Sequence, residues 1–191
     1  MGLLVLGLLA FLGMHSVKML APAWRAGMIA RLGPFGWRAG YSVVSLVGLG
    51  LIILGFAQAG PEAPLYAPPL FLRHLNALFT LAAFILIAAS YVPANHLKAA
   101  IGHPMLAGVK LWAFGHLLAN GTPRAILLFG AFLFWAIADF AVSRRRDRAA
   151  CVVYPPGTAL GDVIAAIAGG GFWALFAFYL HQRWIGVAPF G

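Results

Sequence analysis

The sequence predicts an all-α polytopic membrane protein, about six transmembrane helices in one bundle. Three observations predict it. Of 191 residues, 63% are hydrophobic and 9% charged, whereas a soluble domain carries roughly a quarter charged residues. Apolar stretches recur at close to the ~20 residues needed to cross a hydrocarbon core. They are separated by short Pro/Gly breaks, with no polar segment long enough for a second, soluble domain. A single membrane domain over residues 1–191 is therefore expected.

The first stretch is 2–20. Ala21-Pro22-Ala23 resembles a cleavage site, but no basic segment precedes it and His15 and Lys18 interrupt the apolar run, so it is read as a retained helix. Between 24 and 38, Arg25, Arg31 and Arg38 alternate with Trp24, Met28, Ile29, Leu32 and Trp37, the pattern of an interfacial amphipathic anchor. The second stretch, 40–58, carries Gly48, Gly50 and Gly55, which allow close helix approach. The third, 70–92, starts after Pro68-Pro69 and stops at Pro93. The fourth, 104–119, is short. The tight turn Asn120-Gly121-Thr122-Pro123 folds it into an antiparallel hairpin with the fifth, 124–143. The sixth, 161–181, follows Pro155-Pro156-Gly157 and contains Gly169-Gly170-Gly171, a signal for tight packing or local loosening.

Charge orients these spans. Ten of the thirteen Lys and Arg residues (Lys18, Arg25, Arg31, Arg38, Lys98, Lys110, Arg144, Arg145, Arg146 and Arg148) fall in or near loops one, three and five. Only Arg73, Arg124 and Arg183 associate with the other side. The positive-inside bias puts both termini outside the cytoplasm. It also accounts for the net charge of +9, which in a soluble protein would suggest nucleic acid; nucleic-acid binding has no support here. Cys151 is the only cysteine, which excludes an intramolecular disulfide and a Cys-cluster metal site. Phosphate-loop, zinc-protease, nucleophile-elbow and Rossmann patterns are absent from the sequence.

Six histidines in so apolar a chain are the main chemical signal, because an ionisable group inside a membrane is costly and imidazole is a common metal and haem ligand. His96 and His181 read as solvated interfacial residues. His15 and His74 divide evenly between function and packing. His103 opens the fourth span. His116 is the best candidate: it shares a helix face with Trp112 and follows Gly115, which leaves room for a flat ligand. His103 and His116 are thirteen positions apart, about 20 Å along a helix, so they cannot ligate one iron. Depth instead pairs His74 with His116, and His15 with His103. Asp139, inside the fifth span, reads as the partner of Lys110, Lys18 or the Arg144–Arg146 cluster. Asp162 reads as an N-cap or helix-dipole partner of the sixth.

The run His103-Pro104-Met105-Leu106-Ala107-Gly108, then Leu111-Trp112, then His116-Leu117-Leu118-Ala119-Asn120-Gly121, resembles the NnrU family of bacterial membrane proteins. His15-Ser16 and Tyr41-Ser42-Val43-Val44-Ser45-Leu46-Val47-Gly48 extend the resemblance over nearly the whole chain. NnrU proteins are similar to plant zeta-carotene isomerase, a membrane haem b protein that isomerises a polyene double bond when its iron is reduced. The resemblance implies haem b as cofactor, with His15 and His116 as iron ligands. Where the isomerase has a cysteine proposed as an alternative ligand, this chain has Ala113, so a thiolate switch is not implied. Depth would pair His116 with His74 instead, so two of His15, His74 and His116 are expected to hold iron, with Trp112 beside them.

The resemblance further implies a bacterial inner-membrane setting with both termini periplasmic, and a link to denitrification. The expected function is redox-linked chemistry, either isomerisation of an apolar small molecule or nitrogen-oxide chemistry. The alternative is a non-enzymatic accessory or assembly factor for nitrite or nitric oxide reductase. The His-Pro pattern also resembles that of membrane methyltransferases using S-adenosylmethionine. Gly102 stands where those enzymes carry Arg, and no polar, acidic cofactor segment follows, so shared fold ancestry is the expectation.

Overall fold

A computed structural model describes residues 1–58, 60 and 62–190. All regular structure among them is helical: α1 Gly2–Leu20, α2 Pro22–Gln58, α3 Leu70–Tyr91, α4 His96–Ile101, α5 Pro104–Ala119, α6 Pro123–Ala149, α7 Ala159–Leu175, a π-helical turn Phe176–Leu180, and α8 His181–Ile185. Five segments are long and apolar enough to cross a bilayer: α1, α2, α3, α6 and the continuous run Ala159–Ile185. The fourth expected span, α5, forms as a helix of 16 residues, about 24 Å long and short of a ~30 Å core.

The chain forms two compact units, Met1–Ala63 and Pro64–Gly191. Both are built inside-out relative to a soluble protein. Ala83, Ala89, Ala113 and Ala136 are fully buried, whereas Phe35, Phe134 and Ile167 are exposed. Small residues at helix contacts and large apolar ones outside are what packing in lipid favours. The protein is an integral membrane protein.

In the first unit, α1 and α2 form an antiparallel hairpin through glycines. A Cβ on Gly7 would come within 2.5 Å of the Ile52 nitrogen, and one on Gly48 within 2.8 Å of the Phe11 nitrogen. Gly55 meets the Leu4 backbone equally closely, whereas Gly50 faces open space. The expected interfacial segment is helical, and it joins the second span through Gly33. Its φ of 72° and ψ of 165° break the helix just before Pro34, a conformation only glycine adopts readily. Pro34 then starts a helix that needs no N–H from it. The Arg25 guanidinium lies 5.8 Å from the centre of the Trp37 ring.

In the second unit, α3 is central. It runs antiparallel to α5, with Gly108 against Ala83 and Ile87 and Gly115 against Asn76 and Phe79. It also runs antiparallel to α7, with Gly169 against Phe84 and Ile85 and Trp173 Nε1 donating to Thr80 Oγ1 at 3.0 Å. Only Gly169 of the three-glycine run makes a close approach; Gly171 meets open space. α5 and α6 form the expected hairpin, and the 64–69 segment covers its turn. There Leu65 N donates to the Gly121 carbonyl at 2.8 Å, and Tyr66 hydroxyl donates to the Asn120 carbonyl at 3.0 Å.

At the other end Asn95, 1% exposed, ties α3 to α4. Its amide donates to the Ala89 and Val92 carbonyls, and its oxygen accepts from Lys98 N. The expected N-cap role of Asp162 falls instead to Thr158, which accepts from Gly161 N at 3.1 Å. Asp162 lies a turn further in and reaches across to α4, accepting from His96 N at 2.8 Å and pairing with His96 Nδ1 at 2.6 Å. It stands in the first turn of its own helix, as expected of a dipole partner, and also accepts from the N-terminus of α4.

Candidate functional site

α5 starts where Pro104, needing no hydrogen bond from its nitrogen, takes the first helical position after His103. Thirteen residues on, its closing turn sets His116 beside the first turns of α3. His116 Nδ1 lies 2.8 Å from the Trp112 carbonyl. A carbonyl only accepts, so Nδ1 carries the proton and Nε2 of the neutral ring keeps its lone pair. Phe129, itself buried, stacks on the imidazole at 4.5 Å and 24°, and the Trp112 ring lies 5.3 Å away. Trp112 also packs edge-on to Phe129 at 5.0 Å. The result is an oriented imidazole in an aromatic wall.

Hydrogen-bond partners divide the six histidines. His15, in the first unit, repeats the His116 arrangement: Nδ1 is 2.7 Å from the Phe11 carbonyl one turn back, and the ring stacks on Phe11 at 4.1 Å with Tyr41 at 5.1 Å. His181 directs Nδ1 to the Val187 carbonyl at 2.7 Å. His96 and His103 engage carboxylates instead. His74 is exposed on the first turns of α3 and makes no hydrogen bond to a described residue. It lies in the same half of the second unit as His116, as depth suggested, and His103 lies at the opposite end of α5.

His103 belongs to a separate cluster. Its Nε2 is 2.6 Å from Asp147 Oδ2, and the Tyr154 hydroxyl donates to the same oxygen at 2.5 Å. The backbone lets them converge at Gly102, whose φ is 77°. A Cβ there would meet Arg144 Nη1 at 2.6 Å and the Tyr154 ring at 2.8 Å. Burial and the Asp147 carboxylate raise the Tyr154 phenol above its usual pKa, against the opposing pull of Arg144. Asp147 and Tyr154 are absent from the sequence-based candidates. Asp147 is masked within a run of arginines that reads as a membrane anchor, and 44 residues separate it from His103.

Asp139 was expected in an ion pair. It is linked to Arg146 through a hydroxyl: Ser143 Oγ donates to Asp139 Oδ1 at 3.3 Å and accepts from Arg146 Nη2 at 3.1 Å. Lys110, an expected partner, places its Nζ 3.6 Å from the centre of the Phe140 ring instead. Among the described residues no three His, Cys, Asp or Glu side chains converge as a metal site.

Long apolar helices joined through small residues, with an anchored histidine at a helix–helix contact, define a polytopic α-helical membrane protein. The family model described as NnrU protein matches residues 3–189, and the chain belongs to the NnrU family. No match is found among curated proteins or solved structures.

Proposed function

We propose that the chain is a haem b-binding membrane protein whose redox-linked chemistry is centred on His116. The observation that carries this reading is the His116 geometry. Nδ1 is spent on the Trp112 carbonyl, so Nε2 is the nitrogen offered to a metal, and a backbone carbonyl on the other ring nitrogen is the usual support for a ligating imidazole. Trp112 and Phe129 line the imidazole with flat apolar rings, the kind of surface a macrocycle packs against; the face of Gly115 expected to leave room for a flat ligand is instead taken by Asn76 and Phe79. One turn of α3 away, the buried Oδ1 of Asn76 accepts no hydrogen bond, leaving a polar atom available to a ligand.

Bound there, haem would supply a redox-active iron. The protein's own residues hold His116 in one tautomer, fix its ring plane and exclude water with aromatic side chains. The similarity to the plant isomerase favours His15 as second ligand. His74, in the same half of the second unit as His116, is the alternative. The substrate class is an apolar small molecule or a nitrogen oxide. The family resemblance implies a bacterial inner-membrane location, and the positive-inside bias supports periplasmic termini there.

The test is an absorbance spectrum of protein purified after expression with ample haem supply. A Soret band that collapses in His116→Ala is the expected result; no Soret band in the wild type would overturn the reading. Equal complementation by a His15, His74, His116 triple-alanine variant would favour a non-enzymatic accessory role with a nitrogen-oxide reductase.

A further inference from the structure

Lys110 lies deeper in the bundle than an interfacial anchor does. Gly108, half a turn before it on α5, meets the Ala83 carbonyl, about 12 Å along the helix from the end of α3 at Tyr91. A lysine stem does not span that distance, so the ammonium stays within the apolar zone, where a charge is costly unless it is paired. The acidic residues of this unit are all engaged elsewhere: Asp162 with His96, Asp147 with His103 and Tyr154, and Asp139 with Ser143. Lys110 Nζ instead lies 3.6 Å from the centre of the Phe140 ring. That contact offsets part of the desolvation cost and leaves the N–H groups of the ammonium without an acceptor among the described residues.

A second cation stands one turn along α6 from the same ring. Phe140 and Arg144 are four residues apart and share a helix face. The half-buried Arg144 is held in place: its Nη1 lies against Gly102, and its guanidinium donates to the Tyr154 hydroxyl, which Asp147 in turn fixes. One phenol oxygen does not use up the five N–H groups of a guanidinium. Arg145 and Arg148, at the same end, are exposed. Ile137, one turn before Phe140, is 51% exposed and gives the site an apolar flank open to lipid.

We infer that Lys110 and Arg144 bind the phosphate of an anionic phospholipid, with its acyl chains against the lipid-facing side of α6 at Ile137. Two cations on either side of one aromatic ring, with no carboxylate to neutralise them, call for an anion, and phosphate accepts from ammonium and guanidinium together. Their depth selects an anion that the bilayer itself supplies. The shortness of α5 favours the same ligand, because a helix shorter than the hydrocarbon core thins the bilayer around it and draws headgroups inward, towards Lys110. The site lies at the end of α5 opposite His116 and does not depend on the haem reading.

The experiment uses the full chain in detergent, with phosphatidylglycerol, phosphatidylcholine or inorganic phosphate as the added probe. Native mass spectrometry should retain phosphatidylglycerol and release phosphatidylcholine, and thermal unfolding should shift upward with phosphatidylglycerol alone. Lys110→Gln should weaken phosphatidylglycerol binding about tenfold, the scale of one charge-assisted hydrogen bond. Lys110→Arg should keep it, and Arg145→Gln should leave it unchanged. Acylation of Lys110 in the wild type needs no variant: phosphatidylglycerol should slow it and phosphatidylcholine should not. Equal retention of the two lipids, wild-type affinity in Lys110→Gln, an equal loss in Arg145→Gln, or acylation that phosphatidylglycerol does not slow would each overturn the assignment. An equal thermal shift with inorganic phosphate would overturn the phospholipid as the ligand.

Discussion

Gly115 lies so close to Asn76 that a Cβ on it would sit 2.5 Å from Asn76 Oδ1 and 3.0 Å from Phe79 Cβ. This contact sets the distance between α3 and α5 at the level of His116. Gly115→Ala should destabilise the protein by about 1–3 kcal/mol, the range for overpacking a tight interface. Asn76→Ala should relieve part of that cost, because the two residues touch and their effects are coupled. Unfolding in a denaturing detergent series, compared across the single and double variants, measures this.

Gly48 and Gly50 are two residues apart with opposite surroundings. Gly48→Ala should cost about 1–3 kcal/mol, since the obstacle is Phe11 backbone that cannot rotate away. Gly50→Ala meets nothing within 4 Å and should be neutral or stabilise by up to about 1 kcal/mol through helix propensity. Thermal stability of the two variants in one detergent distinguishes them.

Asn95 uses both ends of its buried amide to join α3 to α4. Asn95→Ala leaves the Ala89 and Val92 carbonyls and the Lys98 N–H without that partner. The expected loss is about 1–3 kcal/mol, with faster hydrogen exchange concentrated at 89–98.

The Tyr154 phenol is held above its ordinary pKa by burial and by Asp147. A group whose folded pKa is raised contributes stability at pH below the unfolded value. That stability is lost as pH climbs through the folded value. The Tyr154 contribution is therefore complete at neutral pH and fades only on the alkaline side of the usual phenol range. In Asp147→Asn the phenol should ionise at lower pH than in the wild type. Ultraviolet difference titration against a Tyr154→Phe control reads the shift directly.

Where polarity dominates, the structure follows from the sequence. Pro34, Pro104 and Pro123 each begin a helix or a helical half where the apolar pattern resumes, because a missing N–H is tolerated only in a first turn. The short fourth span and its tight turn are also legible. Trp112 and His116 are four residues apart, so their shared face follows from helix geometry alone.

The His103–Asp147–Tyr154 cluster and the partnership of Asp162 with His96 are not legible in the same way. Each depends on which turn of one helix meets which turn of another. That register is set by glycines at 108, 115 and 169 against α3, through close packing that leaves no periodic trace in hydropathy. The sequence alone determined that this is a helical membrane protein and singled out its histidines as the candidates for chemistry. The tertiary structure decided which imidazoles are bound to carboxylates and which keep a nitrogen for a ligand, because that choice is made by hydrogen-bond partners that folding brings near.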